Sequence, residues 1–238
     1  MKKLLFTLFV CAGLAATAQE KTFHDADAEK RTINSSFKAI SVSDGVDLYL
    51  TQGNEESVAV SAADAKYLER FKTEVVDGVL KIYYDYKGIK WAINEKRKLR
   101  AWVSFKTLEK LNASGGADVD LQGNVNGQTL DMKLTSGASF GGKVSVKELL
   151  VEQNSGSSAN ISGNAGNVKV DVSSGAVFKG FDLEVDYCDA KASSGGGVRI
   201  TINKELNAKA NSGGGIKYKG NAVIKDLNVN SGGSVKKA

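Results

Sequence analysis

Residues 168–178 read VKVDVSSGAVF, in which a stretch of alternating apolar and polar residues is joined by a Ser-Gly step to a short apolar stretch. Alternation with a period of two predicts a β-strand with one buried face, and glycine lets the backbone turn sharply between strands. The step recurs at intervals of 22, 19, 19, 20, 18 and 19 residues. A fixed period of this size predicts a repeat architecture. The copies begin at Ser114, Ser136, Ser155, Ser174, Ser194, Ser212 and Ser231.

Aligning the copies on this serine places apolar residues in shared columns. Six residues before the serine the column includes Leu130 and Leu149, and opposite charges such as Lys133 and Glu152 fall side by side on the other face. A length of about 19 residues suits one coil of a small parallel β-solenoid, with Leu149 directly above Leu130. A second apolar column follows the step at Phe140, Ala159, Phe178, Val198, Ile216 and Val235.

An antiparallel β-sandwich is the alternative architecture, because regularly spaced short strands with turns also produce that fold. Hairpins, however, do not require the same inward-facing residues at a constant offset. We therefore expect an all-β fold, a parallel β-solenoid (β-helix) of about seven short coils with an irregular N-terminal cap region.

The N-terminus resembles an export signal. Lys2 and Lys3 precede an apolar run over residues 4–16, and Ala16-Thr17-Ala18 forms a cleavage site. The run is too short for a retained membrane span, and Val10 before Cys11 argues against a lipoprotein signal. We expect residues 1–18 to be a signal peptide, 19–31 a flexible mature N-terminus and 32–238 a single domain. Within that domain, residues 32–107 form the cap and first strands, and 108–238 the Ser-Gly repeats.

The composition favours an exported β protein. The 32 basic and 27 acidic residues are spread along the chain, and loss of Lys2 and Lys3 lowers the net charge from +5 to +3. This pattern predicts no nucleic-acid partner. Only Cys188 remains after signal removal, so no internal disulfide is expected. Proline is absent, which suits a chain made mostly of paired strands.

The N-terminal half carries a degenerate copy of the repeat. Residues 37–53, FKAISVSDGVDLYLTQG, echo residues 111–123, LNASGGADVDLQG. Between these segments the pattern predicts a strand, a short helix near residues 63–71 and a hairpin at Asp77-Gly78. This irregular portion is expected to cover one end of the solenoid, where an open strand edge invites aggregation.

Four segments together resemble a known family. They are FKAISV (37–42), VDLYLTQG (46–53), VVDGVLKI (75–82) and LEKLNASGGADV (108–119), followed by the serial Ser-Gly steps. This order is similar to the bacterial head GIN domain family of auto-transporter adhesins, from residue 32 to the C-terminus. The resemblance implies a right-handed β-solenoid in an exported protein of unassigned activity, and it supplies no functional residues. Many members have proline where this chain has Lys106-Thr107.

One segment combines positive charge with aromatic rings. Residues 86–102, YKGIKWAINEKRKLRAW, are named the basic–aromatic segment. Basic and aromatic side chains together favour contact with an anionic polymer or stacking on sugar rings. The alternative is a hairpin with a charged tip whose tryptophans cover the core. The candidate ligand-binding residues are Lys87, Lys90, Trp91, Lys96, Arg97, Lys98 and Arg100.

Catalytic and metal-binding interpretations have less support in the residues. Asp118, Asp120 and Asn124 lack the glycine-rich signature of calcium-bound solenoids, His24 is the only histidine, and Cys188 falls in an apolar column. We expect no cofactor, no metal and no catalytic residue. The expected role is a non-catalytic scaffold in the periplasm or at the cell surface that binds an envelope protein or glycan. A carbohydrate-active β-helix enzyme and an envelope-assembly factor are the alternatives.

Overall fold

A computed structural model describes residues 28–88 and 96–238. The predicted signal peptide, His24, Lys90 and Trp91 therefore lie outside the described residues. The elements in chain order are β1 (Glu29–Arg31), β2 (Ala39–Val42), β3 (Asp47–Gln52), β4 (Ser57–Ser61), α1 (Ala65–Leu68), β5 (Phe71–Val76), β6 (Val79–Tyr84), β7 (Arg100–Phe105), β8 (Lys110–Ala113), β9 (Asp118–Leu134), β10 (Ser139–Gln153), β11 (Ser158–Val172), β12 (Val177–Ala192), β13 (Gly197–Ala210), β14 (Gly215–Lys219), β15 (Val223–Val229) and β16 (Ser234–Lys237).

The repeat region is a stack of parallel coils. Strands β9 to β13 pair in sequence order, each parallel to the next, and β14, β15 and β16 continue the stack. Leu149 lies opposite Leu130 in the register of β10 and β9, as the columns predict. The expected β-solenoid of about seven turns is confirmed, and the antiparallel sandwich is wrong for the repeat region because every one of these pairings is parallel.

The degenerate copy near the N-terminus belongs to the same stack. Strand β2 pairs in parallel with β8, and β3 pairs in parallel with β9, so that Asp47 lies opposite Asp118. The echo between residues 37–53 and 111–123 therefore reflects two adjacent coils. The residues between them form an insertion into the first coil.

Each long strand bends around the coil in three short segments. In β10, Phe140, Val144 and Leu149 are buried, and the alternation of buried and accessible residues breaks at 142–143 and at 147–148. The segment after the Ser-Gly turn forms what we call the first face, and the segment before the next turn forms the third face. The first face comprises β3, residues 118–121, 139–141, 158–160, 177–180 and 197–200, β14 and β16.

The Ser-Gly steps form tight turns with two left-handed residues. Ser136 and Gly137 have φ values of 52° and 75°, and the Ala138 N–H donates to the Thr135 carbonyl at 3.1 Å, which is the pattern of a type I′ turn. The serine therefore shares the positive φ that the sequence suggested only for glycine. In the first copy Gly115 and Gly116 take these positions, so that turn lies one residue later than the Ser114 alignment places it.

An antiparallel cap extends both faces at the N-terminal end. On the third face, β6 pairs in parallel with β2, and β5 completes a hairpin through Asp77 and Gly78. On the first face, β7 pairs in parallel with β3, and β4 and β1 add antiparallel strands. The predicted helix is reduced to α1, whose start is capped by the Asp64 side chain. Residues 29–31 of the expected flexible N-terminus form β1.

The strands on either side of the basic–aromatic segment do not pair with each other. Strand β6 belongs to the third face and pairs with β2 and β5, and β7 belongs to the first face and pairs with β3 and β4. A hairpin formed by β6 and β7 is therefore excluded, and residues 89–95 of the segment lie outside the described residues.

The left-handed serine conformation provides a test of the turns. We expect Ser174→Val to lower the free energy of unfolding by about 1–2 kcal/mol, because a β-branched residue is strained at positive φ. Ser174→Gly should leave stability within about 0.5 kcal/mol of the wild type. Urea unfolding measures both. Ser173→Val is the matched control, because Ser173 lies outside the positive-φ region, and equal losses at the two positions would contradict the turn assignment.

Candidate ligand-binding site

The described ends of the basic–aromatic segment are held by main-chain contacts. The Ala63 N–H donates to the Arg97 carbonyl at 2.7 Å, and the Asp47 N–H donates to the Leu99 carbonyl at 2.9 Å. The Leu99 side chain is buried in the core. The chain therefore enters β7 with its backbone held at residues 97 and 99.

The Arg97 side chain packs against two tyrosines. Its guanidinium lies over the Tyr84 and Tyr86 rings, 4.6 and 4.9 Å from their centroids, and Nη1 donates to the Tyr86 hydroxyl at 2.8 Å. The Arg97 Nε atom is buried and has no hydrogen-bond acceptor. Because Arg and aromatic faces attract each other strongly when partly desolvated, Arg97 organises the rings, and Tyr86 remains 44% exposed.

Arg100 lies beside acidic side chains on the first face. It pairs in register with Asp47, which in turn lies opposite Asp118. Burial raises the pKa of the Asp47 carboxyl, Asp118 raises it further, and the positive charge of Arg100 opposes both effects. The charge of Arg100 is therefore balanced within the fold, and Arg100 is less available for a ligand than the sequence indicates.

The remaining described residues of the candidate set are exposed lysines. Lys87, Lys96 and Lys98 all have exposed side chains at the N-terminal end of the molecule. Lys98 has a φ of 47°, a left-handed conformation that non-glycine residues seldom adopt. Trp102 is 9% exposed and stacks on Tyr49, with 5.5 Å between ring centroids. Lys87, Lys96 and Lys98 are thus accessible to a ligand, whereas Arg97 and Arg100 interact with other residues of the fold.

The acidic candidates near the first turn take part in local hydrogen bonds. Asp118 accepts a hydrogen bond from the Ser139 hydroxyl, and the Asn124 amide donates to Asn126 Oδ1 at 2.8 Å and to Ser145 Oγ at 3.2 Å. Over residues 28–88 and 96–238, no three His, Cys, Asp or Glu side chains come together as metal ligands. The described acids do not form a calcium loop.

A depression of about 320 Å³ lies on the third face. Two acids at its rim are engaged by neighbours: Glu205 forms an ion pair with Lys225 at 2.9 Å, and Asp189 accepts a hydrogen bond from the Asn207 amide at 2.6 Å. Cys188 lies beneath and is buried, as its apolar column predicts. Burial raises the pKa of the Cys188 thiol strongly, and the charge of Asp189 adds to the effect.

A row of cations on the first face was not predicted from the sequence. Lys179, Arg199, Lys217 and Lys236 lie opposite one another on successive strands. The signal was present in the repeat, because each of these residues immediately follows the apolar column that contains Phe178.

The fold and these surfaces define a class of protein, a capped β-solenoid with exposed cationic surfaces. The chain belongs to the family described as "Putative auto-transporter adhesin, head GIN domain", which matches residues 36–222. The predicted family membership is confirmed. Among curated proteins, none matches this sequence. Within the described residues, no helix has the length and apolar character needed to cross a membrane.

Solved structures share the fold at low sequence identity. A "putative adhesin" from Bacteroides fragilis is 18% identical, with a TM-score of 0.78 over 89% of this chain and 96% of the other. A "putative adhesin" from Parabacteroides merdae is 20% identical, with a TM-score of 0.67 over 89% and 95%. A "putative lipid binding protein" from Parabacteroides distasonis is 18% identical, with a TM-score of 0.60 over 89% and 96%. At these identities the likeness establishes the fold.

The stacking of Arg97 can be tested by a neutral substitution. We expect Arg97→Gln to lower the free energy of unfolding by about 1 kcal/mol, because the cation–π contacts with Tyr84 and Tyr86 are lost. Thermal or urea unfolding measures the change. Lys96→Gln is the control, since that neighbouring side chain is exposed, and an equal loss from Lys96→Gln would contradict a specific role for Arg97.

The burial of Cys188 makes its thiol unreactive in the folded protein. In a Cys11→Ser variant, Cys188 is the only cysteine of the chain. We expect no reaction with a thiol-specific disulfide reagent at mildly alkaline pH. The raised pKa keeps the Cys188 thiol protonated, and burial keeps the reagent from reaching it. Unfolding in urea should restore full reactivity. Rapid labelling of the native protein would contradict the placement of this side chain.

Proposed function

We propose that the protein is an exported, non-catalytic, adhesin-like interaction protein that binds a glycan or protein of the cell envelope. Membership of the adhesin family supports an interaction role, and the signal-like sequence of residues 1–18 supports export to the periplasm or cell surface. The observation that carries the proposal is the set of three exposed lysines, Lys87, Lys96 and Lys98, beside the exposed Tyr86 ring.

The geometry of the basic–aromatic segment suits recognition of an anionic surface. Main-chain hydrogen bonds to Arg97 and Leu99 hold these two residues in place in the folded protein. Because this backbone is already ordered before a ligand arrives, binding costs less conformational entropy. Exposed ammonium groups attract anionic groups over a distance set by ionic strength, and a ring such as Tyr86 offers a face for stacking. Lys90 and Trp91, which lie outside the described residues, belong to the same proposed surface.

The carbohydrate-active enzyme receives less support from the described residues. Acid–base cleavage of a sugar polymer needs a pair of positioned carboxyl groups, or an acid set with a nearby base. Three acids line the depression on the third face, and two of them are engaged: Glu205 pairs with Lys225, and Asp189 accepts a hydrogen bond from Asn207. Glu148 is then the one carboxylate of this lining without an ion pair or hydrogen bond among the described residues, and it does not make a positioned pair. Binding without turnover is therefore the proposed activity.

A triple variant restricted to the exposed lysines tests the proposed surface. We expect Lys87→Ser, Lys96→Ser and Lys98→Asn together to weaken binding of the protein to washed envelope fractions by about tenfold, because charge steering and charge-assisted contacts are lost. Asparagine is chosen for Lys98 because it tolerates positive φ. The measurement is a cosedimentation isotherm at low and high ionic strength, and the wild type should lose affinity as salt rises.

A second triple variant controls for net charge. Lys106→Ser, Lys143→Ser and Lys147→Ser remove three exposed lysines elsewhere on the molecule, and we expect this variant to bind as the wild type does. Arg97 and Arg100 are left in place because they contribute to folding. Equal loss of binding in the two variants, or unchanged binding in the first, would overturn the role of the basic–aromatic segment.

A further inference from the structure

Four cations form a straight row along the first face. Lys179, Arg199, Lys217 and Lys236 occupy directly opposed positions on β12, β13, β14 and β16, and all four side chains are exposed. Because parallel strands are about 4.8 Å apart, the row extends for about 14 Å along the solenoid axis. We call these four residues the basic row.

The basic row differs from the charged rows on the third face. There, acids and bases occur in the same column and form ion pairs: Lys133 Nζ lies 2.9 Å from Glu152 Oε1, and Lys191 Nζ lies 2.9 Å from Asp171 Oδ2. Lys209, which lies opposite Lys191, is 3.9 Å from Asp226 Oδ2. In the part of the chain that the structure describes, no member of the basic row forms an ion pair. Like charges opposed on neighbouring strands repel, so an added anionic partner would relieve this repulsion.

The surface beside the basic row is open to a ligand. The neighbouring outward column contains Val177, Gly197, Gly215 and Ser234, and a Cβ atom added at Gly197 would meet no atom within 4 Å. Long basic side chains therefore stand beside a floor formed by backbone and small residues. A linear molecule can lie on this floor while its anionic groups meet the cations one strand at a time.

The outward column that contains the basic row is no longer basic toward the N-terminus. Beyond Lys179 it continues through Asn160 and Gly141 to Asp120, where a negative charge disfavours an anionic ligand. The next position is Tyr49, which stacks on Trp102. The basic row is thus bounded on one side by an acidic position and is confined to the C-terminal part of the first face.

We infer that the basic row binds an acidic polysaccharide in extended form, with its chain parallel to the solenoid axis and carboxylates on successive sugars against successive cations. Four directly opposed cations in one line suit a linear polymer. Two further exposed lysines lie outside this line: Lys219 of β14 is over the Phe181 ring, 4.4 Å from its centroid, and Lys237 of β16 lies opposite Tyr218. The inference rests on the proposed function, because only an exported protein would meet such a glycan. It assigns the ligand class and a second surface, distinct from the basic–aromatic segment.

Calorimetric titration with polygalacturonate oligosaccharides tests this inference. The variant Lys179→Gln, Arg199→Gln, Lys217→Gln and Lys236→Gln is expected to bind at least about tenfold more weakly than the wild type, with a shallower dependence on salt. Neutral dextran should not bind either protein. Absence of polygalacturonate binding by the wild type, or better binding of polyphosphate than of polygalacturonate, would overturn the assigned ligand class.

The third face supplies a control with the same change in charge. Lys133→Gln, Lys169→Gln, Lys191→Gln and Lys209→Gln also remove four positive charges at outward positions of the stack. This variant is expected to retain affinity within about twofold of the wild type. Equal weakening of both variants would show attraction by net charge and overturn the site. Galacturonate monomer that competes as well as the oligosaccharide would overturn the extended mode of binding.

A footprint on the wild-type protein keeps the test independent of how the variants fold. Bound polygalacturonate should slow acetylation of Lys179, Lys217 and Lys236 several-fold, and Lys133 and Lys191 should react at an unchanged rate. Equal protection at all five lysines counts against the site. The envelope-binding experiment on Lys87, Lys96 and Lys98 is separate, so envelope binding that depends on those lysines with no polygalacturonate binding would reject the basic row alone.

Discussion

The structure depends on a main-chain ladder that continues through the turns. At each Ser-Gly turn the glycine N–H donates to the serine carbonyl of the next coil: Gly137 to Ser155 at 3.0 Å, Gly156 to Ser174 at 3.1 Å and Gly175 to Ser194 at 3.1 Å. Such bonds require both turn residues to keep positive φ in every coil. The strands on both sides are thereby held in register, and the apolar columns meet in one continuous core. Each coil therefore needs the same two-residue turn, and this requirement explains why the Ser-Gly step recurs in the sequence.

The bend on the other side of the coil imposes a second backbone constraint. At Gly163 φ is 107°, and a Cβ atom there would lie 2.1 Å from the Val144 carbonyl oxygen of the preceding coil. No side chain fits so close to a neighbouring backbone. Two kinds of glycine therefore shape the coil, one for left-handed turns and one for close approach, which accounts for much of a composition rich in glycine and free of proline.

The repeats were predictable from the sequence because their information is local and periodic. A period of two determines which side chains face inward, and a near-constant offset determines which residues stack, so the contact of Leu130 with Leu149 follows from the text alone. The cap was harder, because the partners of β6 and β7 lie on different faces and no local pattern in residues 85–99 indicates which strand each will join. The one-residue offset of the first turn was not predictable for a related reason. Ser114 is the residue type that the repeat predicts, but its backbone conformation depends on the register in which β8 pairs with β9.

Surface chemistry follows the same repetition, and this determines where recognition can occur on such a molecule. A residue type placed once per coil becomes a row, so an outward column can have a single electrostatic character over several strands. On the third face acids and bases share a column and form ion pairs, as Lys133 does with Glu152 and Lys191 with Asp171. On the first face the column from Lys179 to Lys236 has one sign and carries unneutralised charge. A solenoid need not form a deep cleft to be selective, because the strand spacing itself favours partners whose charges repeat at a similar distance.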